Sequence, residues 1–247
     1  MSLTLYNALS DNLRHVFGGP VRKVPFSLGL TCPNRDGTKG TGGCVFCSHD
    51  ELLPHWRVRG EGVRRQVTRG ITATGGHCGT RYIAYLQDHT GTWCEPSVLA
   101  DACREALAVD GVVGLSIGTR PDCITGAMWR VLEDLAATTH LWLELGLQTS
   151  DDRTLERLNR NHTAQVFADA AQEAARRGVA VVAHVMLGLP GEGAVEAEAT
   201  AAFLAGTGVA GVKLHNTLVI RGTRLTGAAL SNGRRQKETT PRRPFKI

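Results

Sequence analysis

The chain has 247 residues, of which 42% are hydrophobic, and this size fits one large domain. Its seven cysteines do not fit the paired disulfide framework of a small secreted protein. No apolar run reaches the roughly 18 residues of a membrane-spanning helix, and residues 1–10 lack the pattern of a secretory signal. We therefore expect a cytoplasmic, reduced protein without a membrane partner. The net charge of +5 permits an anionic partner such as RNA without requiring one.

Predicted strands and helices alternate along the chain. Residues 1–24 are predicted to form a lead-in with one helix that Gly18 and Gly19 end. The predicted strands cover residues 24–30, 82–86, 112–117, 141–147, 179–187 and 209–214. The predicted helices cover residues 61–74, 96–108, 127–137, 151–158, 164–177 and 195–205. This alternation indicates parallel strands, and we expect an α/β fold, a partial (β/α)6 barrel of the TIM type over residues 25–225.

The end of the sequence has a different composition. Residues 226–247 are rich in Arg and Lys and show no apolar periodicity. They are predicted to be a disordered basic tail; the alternative is an arm that contacts nucleic acid.

A glycine-rich loop over residues 31–48 holds three cysteines. Cys32, Cys44 and Cys47 have the spacing C-x11-C-x2-C. Because glycine tolerates positive φ, such a loop can fold back and bring three thiolates to one point. Three thiolates suit either zinc or an iron–sulfur cluster. A closed zinc site requires four ligands, and Cys78 or His49 could supply the fourth. Three cysteines on a four-iron cluster would instead leave one iron open to a substrate.

Polar residues interrupt the predicted strands toward their carboxyl ends, where parallel β/α folds bind their ligands. Glu144 and Gln148 lie four positions apart on one strand, so both can face the same side. Lys213 and His215 share a face and, together with His184, are the candidate catalytic residues. Taken singly, His184 could be a satisfied core histidine and Glu144 a structural ion-pair partner. Their collection around one barrel mouth favours a functional site.

Five sequence phrases, in the same order along the chain, carry a family resemblance. They are TCPNRDG at 31–37, GGCVFC at 42–47, SIGTRPD at 116–122, ELGLQT at 144–149 and LGLPGE at 187–192. With them the chain resembles the radical S-adenosylmethionine (SAM) superfamily, and more narrowly its YhcC-type branch, which is related to the radical SAM domain of the elongator catalytic subunit. The usual superfamily spacing is C-x3-C-x2-C, and this branch lengthens the first gap.

The resemblance implies a cofactor pair and a reaction. Cys32, Cys44 and Cys47 would bind a [4Fe-4S] cluster whose fourth iron is chelated by SAM. An electron donor such as flavodoxin or ferredoxin would reduce the cluster, and reductive cleavage of SAM would yield a 5′-deoxyadenosyl radical that abstracts hydrogen.

The resemblance also implies which residues surround SAM. Phe46 would pack near the adenine, and the turn that contains Gly188 and Gly191 would lie beneath it. Glu144 and Gln148 would contact the ribose and the methionine portion.

Two further SAM contacts follow from the same resemblance. Arg160 would pair with the carboxylate of SAM. The family's usual Gly-Gly-Glu after the second strand is replaced by Leu86-Gln87-Asp88, so Gln87 would take the amino-group role.

The resemblance suggests tRNA as the substrate, with a wobble uridine as the modified group. The alternatives are a small-molecule or protein substrate, and a non-catalytic, zinc-stabilised module that binds nucleic acid. Family members continue past residue 225 with helical sequence, so the basic tail indicates either a divergent or a truncated C-terminal cap. A barrel that binds the cluster but lacks a working substrate site is a third possibility.

Overall fold

The computed structural model describes residues 6–48, 60–76 and 79–226. His49, Cys78 and residues 227–247 of the predicted basic tail lie outside the described residues. Within these ranges the helices are α1 (Leu9–Phe17), α2 (Val63–Ala73), α3 (Pro96–Leu107), α4 (Gly126–Thr138), α5 (Asp152–Arg157), α6 (Ala164–Arg176) and α7 (Ala194–Ala205). The strands are β1 (Val21–Phe26), β2 (Arg81–Leu86), β3 (Val112–Thr119), β4 (His140–Gln148), β5 (Ala180–Leu187) and β6 (Gly211–Asn216).

The first strand is the one predicted element whose position is clearly wrong. It was expected at residues 24–30, but it begins at Val21 and ends at Phe26. Beyond Phe26, the backbone N–H groups bond to side chains and no longer to the neighbouring strand. The Ser27 N–H donates to Gln66 Oε1 at 3.0 Å, and the Leu28 N–H donates to Asp88 Oδ2 at 2.7 Å. The shift places Lys23 inside the strand.

The six strands form one parallel sheet in the order β1 to β6, and each strand pairs with the next one along the chain. This topology confirms the predicted α/β half-barrel. Among the described strands β1 and β6 are the two edges, so the barrel is open between them.

The main core lies between the outer face of the sheet and the helices. Alternate strand residues such as Phe26, Leu86 and Leu143 point outward and are fully or almost fully buried against helical residues such as Leu99 and Phe167. Burial of apolar surface in this layer stabilises the barrel. It also leaves the intervening strand residues to line the lumen.

Helix α1 closes the amino-terminal end of the lumen. Its Leu13 packs with Ile83 and Trp142 in a separate apolar cluster, and Phe17 and Ala180 pack against that cluster. The strand members of this cluster lie near the beginnings of β1, β2, β4 and β5. The lumen therefore has an apolar floor, and the polar residues lie above it.

The outer face of β6 is less covered than that of the other strands. Val212 and Leu214 point outward and are 48% and 63% exposed. No helix within the described ranges has the length and apolar character needed to cross a membrane.

Candidate functional site

The cysteine loop is fastened to the turn between α5 and α6. The Asn159 side-chain amide donates to the carbonyl oxygens of Gly43 at 2.8 Å and Thr41 at 3.1 Å. Asn34 donates in return to the Asn159 carbonyl at 2.5 Å and accepts a hydrogen bond from Asn161. Asn159 and Asn161 both have positive φ, of 56° and 54°, a conformation that asparagine tolerates better than most residues. These contacts fix the loop above the ends of β3 and β4.

A cavity of ≈ 190 Å³ lies between the cysteine loop and the strand ends. Its lining includes all three predicted cluster ligands, Cys32, Cys44 and Cys47. In the described part of the chain, no group of three or more His, Cys, Asp or Glu side chains is arranged to hold a single metal ion. The cysteines thus share one cavity wall rather than one tight ion-binding point.

Two arginine side chains, Arg160 and Arg120, lie near the buried thiol of Cys44. Arg160 donates from Nη1 to the Sγ of Cys44, 3.3 Å away, and Asn34 lies 3.6 Å from the same sulfur. Burial raises the pKa of the Cys44 thiol, but the charge and hydrogen bond of Arg160 outweigh it, and the net pKa is lowered. Burial raises the pKa of Cys47, and the charge of Cys44 adds to that effect. Cys44 is therefore prepared as a thiolate ligand.

Two buried guanidinium nitrogens at the cavity lack a partner among the described residues, Nη1 of Arg120 and Nε of Arg160. The other donors of Arg120 are used on the Asp122 carboxylate at 2.9 and 3.0 Å and on the Arg160 carbonyl at 2.7 Å. Buried polar groups are normally hydrogen-bonded. Free cationic donors beside three thiols therefore fit a site built to receive an anionic group.

The end of β4 is distorted where it meets the cavity. Gln148 has φ of +79°, which is unusual for a residue other than glycine, and the pairing with β5 shifts register between Gly146 and Gln148. A Cβ on Gly146 would lie 2.8 Å from Gln148 Nε2 and 3.1 Å from Arg160 Nη2. The bulge and the glycine therefore let the Gln148 and Arg160 side chains approach the same point of the cavity.

The residues expected near adenine are brought together. Phe46 packs against an apolar cluster of Leu158, Met186 and Leu189. Leu189 belongs to the turn after β5, in which Gly188 and Gly191 have φ of +75° and +84°. The cysteine loop and this turn thus share one small apolar surface, as a flat ring would require.

Glu144 is the centre of a polar layer across the middle of the lumen. The layer consists of one or two residues from each strand: Lys23, Tyr85, Ser116, Glu144, His184, Lys213 and His215. The Oε1 of Glu144 accepts from Ser116 at 2.5 Å and from Lys23, and its Oε2 accepts from His184 at 2.6 Å and from Lys213 at 3.3 Å.

The pKa of Glu144 lies well below its usual range. Its burial would raise the pKa, but the hydrogen bond from His184 and the charges of Lys23 and Lys213 outweigh burial. The carboxylate has about four acceptor positions, and these partners already occupy them. A ribose hydroxyl could reach Glu144 only by replacing one of the present donors.

The three candidate catalytic residues lie together in this layer. His184 Nε2 faces the Glu144 carboxylate, so this nitrogen carries the proton of the imidazole. The other ring nitrogen, Nδ1, accepts a hydrogen bond from His215 Nε2 at 3.3 Å. Burial lowers the pKa of His184. The pKa of His215 is lowered to about 4 by burial and by the neighbouring His184 and Lys213. Both imidazoles are therefore neutral near pH 7.

Some of the predicted site residues line the cavity, and Gln87, Gly188, Gly191, Lys213 and His215 do not. Gln148, Glu144 and Arg160 line it, whereas after β2 it is Asp88 and His89 that do so. The backbone N–H of Gln87 donates to the Phe26 carbonyl at 3.0 Å. The amino-group role of Gln87 stays a prediction.

Sequence reasoning missed two members of the polar layer. Lys23 was assigned to the lead-in because the first strand was expected to begin after it. Tyr85 belongs to the strand predicted over residues 82–86, but the sequence does not show that its ring centre lies 5.2 Å from the Nζ atoms of both Lys23 and Lys213. The available signal was that Val21 and Lys23, two positions apart, would face the same side of a strand that begins at Val21.

Comparisons with known proteins agree with this geometry. Residues 32–204 match the model of the radical SAM superfamily. Protein YhcC of Escherichia coli K12 is 38% identical over 224 residues, which cover 89% of this chain and 70% of YhcC. A tRNA-2-methylthio-N(6)-dimethylallyladenosine synthase of Anaeromyxobacter sp. Fw109-5 is 25% identical over 170 residues, covering 65% of this chain and 35% of the synthase.

A solved structure of Elp3 from the archaeon Methanocaldococcus infernus has the same fold. Its TM-score is 0.60 at 19% identity, over 86% of this chain. This chain spans 49% of that Elp3 chain, about half of its length.

Proposed function

Because the chain belongs to the radical SAM superfamily and to its YhcC-type branch, we propose that it cleaves SAM reductively with a [4Fe-4S] cluster held by Cys32, Cys44 and Cys47. Membership in the superfamily implies SAM and an iron–sulfur cluster as cofactors. When bound, the reduced cluster and SAM would supply a 5′-deoxyadenosyl radical for hydrogen abstraction.

The observation that carries this proposal is the convergence of three thiols and two partly unpaired arginines on one cavity at the carboxyl ends of the strands. The thiols are soft ligands of the kind that iron–sulfur clusters take. Arg160 and Arg120 stabilise the negative charge of the ligands and offer free donors to a carboxylate.

The remaining side chains would position SAM. Phe46 and the turn with Gly188 and Gly191 would enclose the adenine, because they share an apolar surface. Gln148 would face the ribose and methionine from its strained position at the end of β4. Glu144 would act from below, and its contact with SAM would need a rearrangement of its present partners.

We propose tRNA as the substrate, with a wobble uridine as the modified group. Two observations support tRNA as the substrate: a relative with 25% identity is named as a tRNA-modifying synthase, and this chain has a net charge of +5. The choice of a wobble uridine rests on the resemblance to the elongator catalytic subunit. Phosphate backbones are bound largely through Lys and Arg.

The test is anaerobic reconstitution of the full chain with iron and sulfide, followed by reduction with dithionite in the presence of SAM. We expect a brown protein with about four iron atoms per chain that releases 5′-deoxyadenosine. Cys44→Ala should lose both the colour and the product, whereas Cys103→Ala, which removes a buried thiol of α3, should keep both.

Two results would contradict the proposal. A colourless wild-type protein that holds one zinc ion would favour a zinc-stabilised module. A brown protein that leaves SAM intact would show that the cluster site is present without the activity. The substrate is tested separately, by incubating the active protein with unmodified tRNA and identifying altered nucleosides by mass spectrometry.

A further inference from the structure

The polar layer in the middle of the lumen contains more positive than negative charge. Lys23 and Lys213 contribute two ammonium groups, and Glu144 contributes the one carboxylate. The two histidines are neutral near pH 7, since their pKa values are lowered by burial. With both lysines protonated, the layer therefore carries about one net positive charge inside a barrel, and burial lowers the pKa of Lys23.

Such a charge is unfavourable unless an anion balances it. Lys23 is largely buried, with 12% of its side chain exposed, and it lies 5.2 Å from the ring centre of Tyr85 and 5.0 Å from that of Trp142. Lys213 is also 5.2 Å from the Tyr85 ring centre. Both ammonium groups thus lie beside an aromatic ring, Lys23 buried and Lys213 partly exposed.

The two lysines also keep donors available, although Lys23 already donates to Ser116 Oγ at 3.3 Å and to Glu144 Oε1. An ammonium group has three N–H donors. Lys213 makes one ion pair, with Glu144 Oε2 at 3.3 Å, and 37% of its side chain is exposed. The layer borders the cavity, because Tyr85, Glu144 and His184 all line it. Neither lysine lines that cavity, but the exposed part of the Lys213 side chain lets an oxyanion reach its ammonium group without displacing Glu144.

We propose that Lys213 and Lys23, on either side of the Glu144 carboxylate, form a subsite for an oxyanion of the substrate, either a carboxylate or a phosphate group. The subsite lies below Arg120 and Arg160 and is separate from them. The role of the bound oxyanion as part of a substrate rests on the proposed SAM-dependent reaction. Binding of the oxyanion to the subsite does not, because it can be measured without SAM.

A purely structural role for the layer makes a different prediction. If the lysines served only to neutralise Glu144, the wild-type chain would show no anion binding that depends on Lys213. If they form a subsite, removing the competing carboxylate frees both lysines for the added anion, and affinity rises. A damaged fold cannot produce that gain.

The experiment is isothermal titration calorimetry on the reconstituted full chain, without SAM, in a buffer free of oxyanions. Inorganic phosphate and sodium acetate are the two probes. We expect Lys213→Gln to weaken binding on the order of tenfold, the loss expected for a hydrogen bond to a charged group. Lys213→Arg should retain binding, and Glu144→Gln should tighten it.

The matched control is Arg104→Gln, which removes one positive charge from the exposed face of α3. It should leave the affinity unchanged. Selective binding of phosphate would identify the substrate group as a phosphate, and selective binding of acetate would identify it as a carboxylate.

Absence of heat with both probes would overturn the subsite. So would equal affinities of wild type and Lys213→Gln. Neither result would affect SAM cleavage by the same preparation, so failure of the subsite is distinguishable from failure of the proposed function.

Discussion

Arg160 and Cys44 are 116 positions apart in the chain, yet the guanidinium Nη1 donates to the thiol Sγ at 3.3 Å. The contact is possible because the turn after α5 and the cysteine loop are hydrogen-bonded to each other. It couples the proposed SAM contact directly to a proposed cluster ligand.

Replacing Arg160 should therefore change the chemistry of Cys44. In Arg160→Gln we expect the pKa of the Cys44 thiol to rise, because burial would then act without the opposing charge. The measurement is the pH dependence of Cys44 alkylation by iodoacetamide in the metal-free protein, resolved by peptide mass spectrometry. Cys103 is the internal reference, since burial raises its pKa to about 12 independently of Arg160. An unchanged pH profile at Cys44 would contradict the coupling.

Gly146 should tolerate no side chain. A methyl group there would lie 3.1 Å from Arg160 Nη2, which donates to the Gly146 carbonyl at 2.6 Å. We expect Gly146→Ala to lower the free energy of unfolding by about 1–3 kcal/mol, measured by denaturant titration. Gly126→Ala is the control, because a Cβ at Gly126 meets nothing within 4 Å and alanine favours helix α4. Equal stabilities of the two variants would show that the cavity has room at Gly146.

The side chain of Asn159 should hold the cysteine loop closed. Asn159→Gly keeps the positive φ of 56° without strain and removes the two hydrogen bonds to Thr41 and Gly43. We expect amide hydrogen exchange in residues 41–47 to become faster, and iron loading to fall. Gln165→Ala, which removes a side-chain hydrogen bond on the exposed face of α6, should change neither. Unchanged exchange in Asn159→Gly would show that other contacts hold the loop.

Stability should fall as the pH is lowered through the range set by His215. Its pKa is about 4 in the folded chain, below the ordinary histidine value of 6.5, because of burial and the neighbouring His184 and Lys213, with Glu144 acting in the opposite direction. Between pH 6.5 and 4 the unfolded chain binds a proton at this residue and the folded chain does not. The free energy of unfolding is therefore highest above this pH range and falls as the pH is lowered through it.

The variant His215→Gln should reduce this pH dependence, with a slope smaller by up to about 1.4 kcal/mol per pH unit. Urea unfolding at several pH values between 4 and 8 measures it. His15→Gln on exposed α1 is the matched histidine control. Identical slopes for His215→Gln and wild type would contradict the assignment.

The sequence predicted the fold well because its signals are local. Six apolar strands and the helices between them follow from periodicity and turn residues, and the parallel half-barrel follows from their alternation. The family resemblance is confirmed by the matches to the superfamily and to YhcC.

The site was only partly predictable because its partners are distant in sequence. The pairing of Lys23 with Glu144 joins β1 to β4 across the lumen, and a strand shifted by three residues was enough to hide it. The Asn34–Asn159 contact joins two loops that share no pattern. Local periodicity places a residue on a face, but the partner across the barrel depends on register and curvature.

The apolar floor formed by α1 also decides how a molecule can arrive. The described residues close the lumen from beneath with Leu13 and Trp142 and cover it from above with the cysteine loop. The gap between β1 and β6 is the lateral side left open in this part of the chain. A substrate that enters sideways can be much larger than the cavity, because only the group that reacts has to pass inside while the rest stays in solvent.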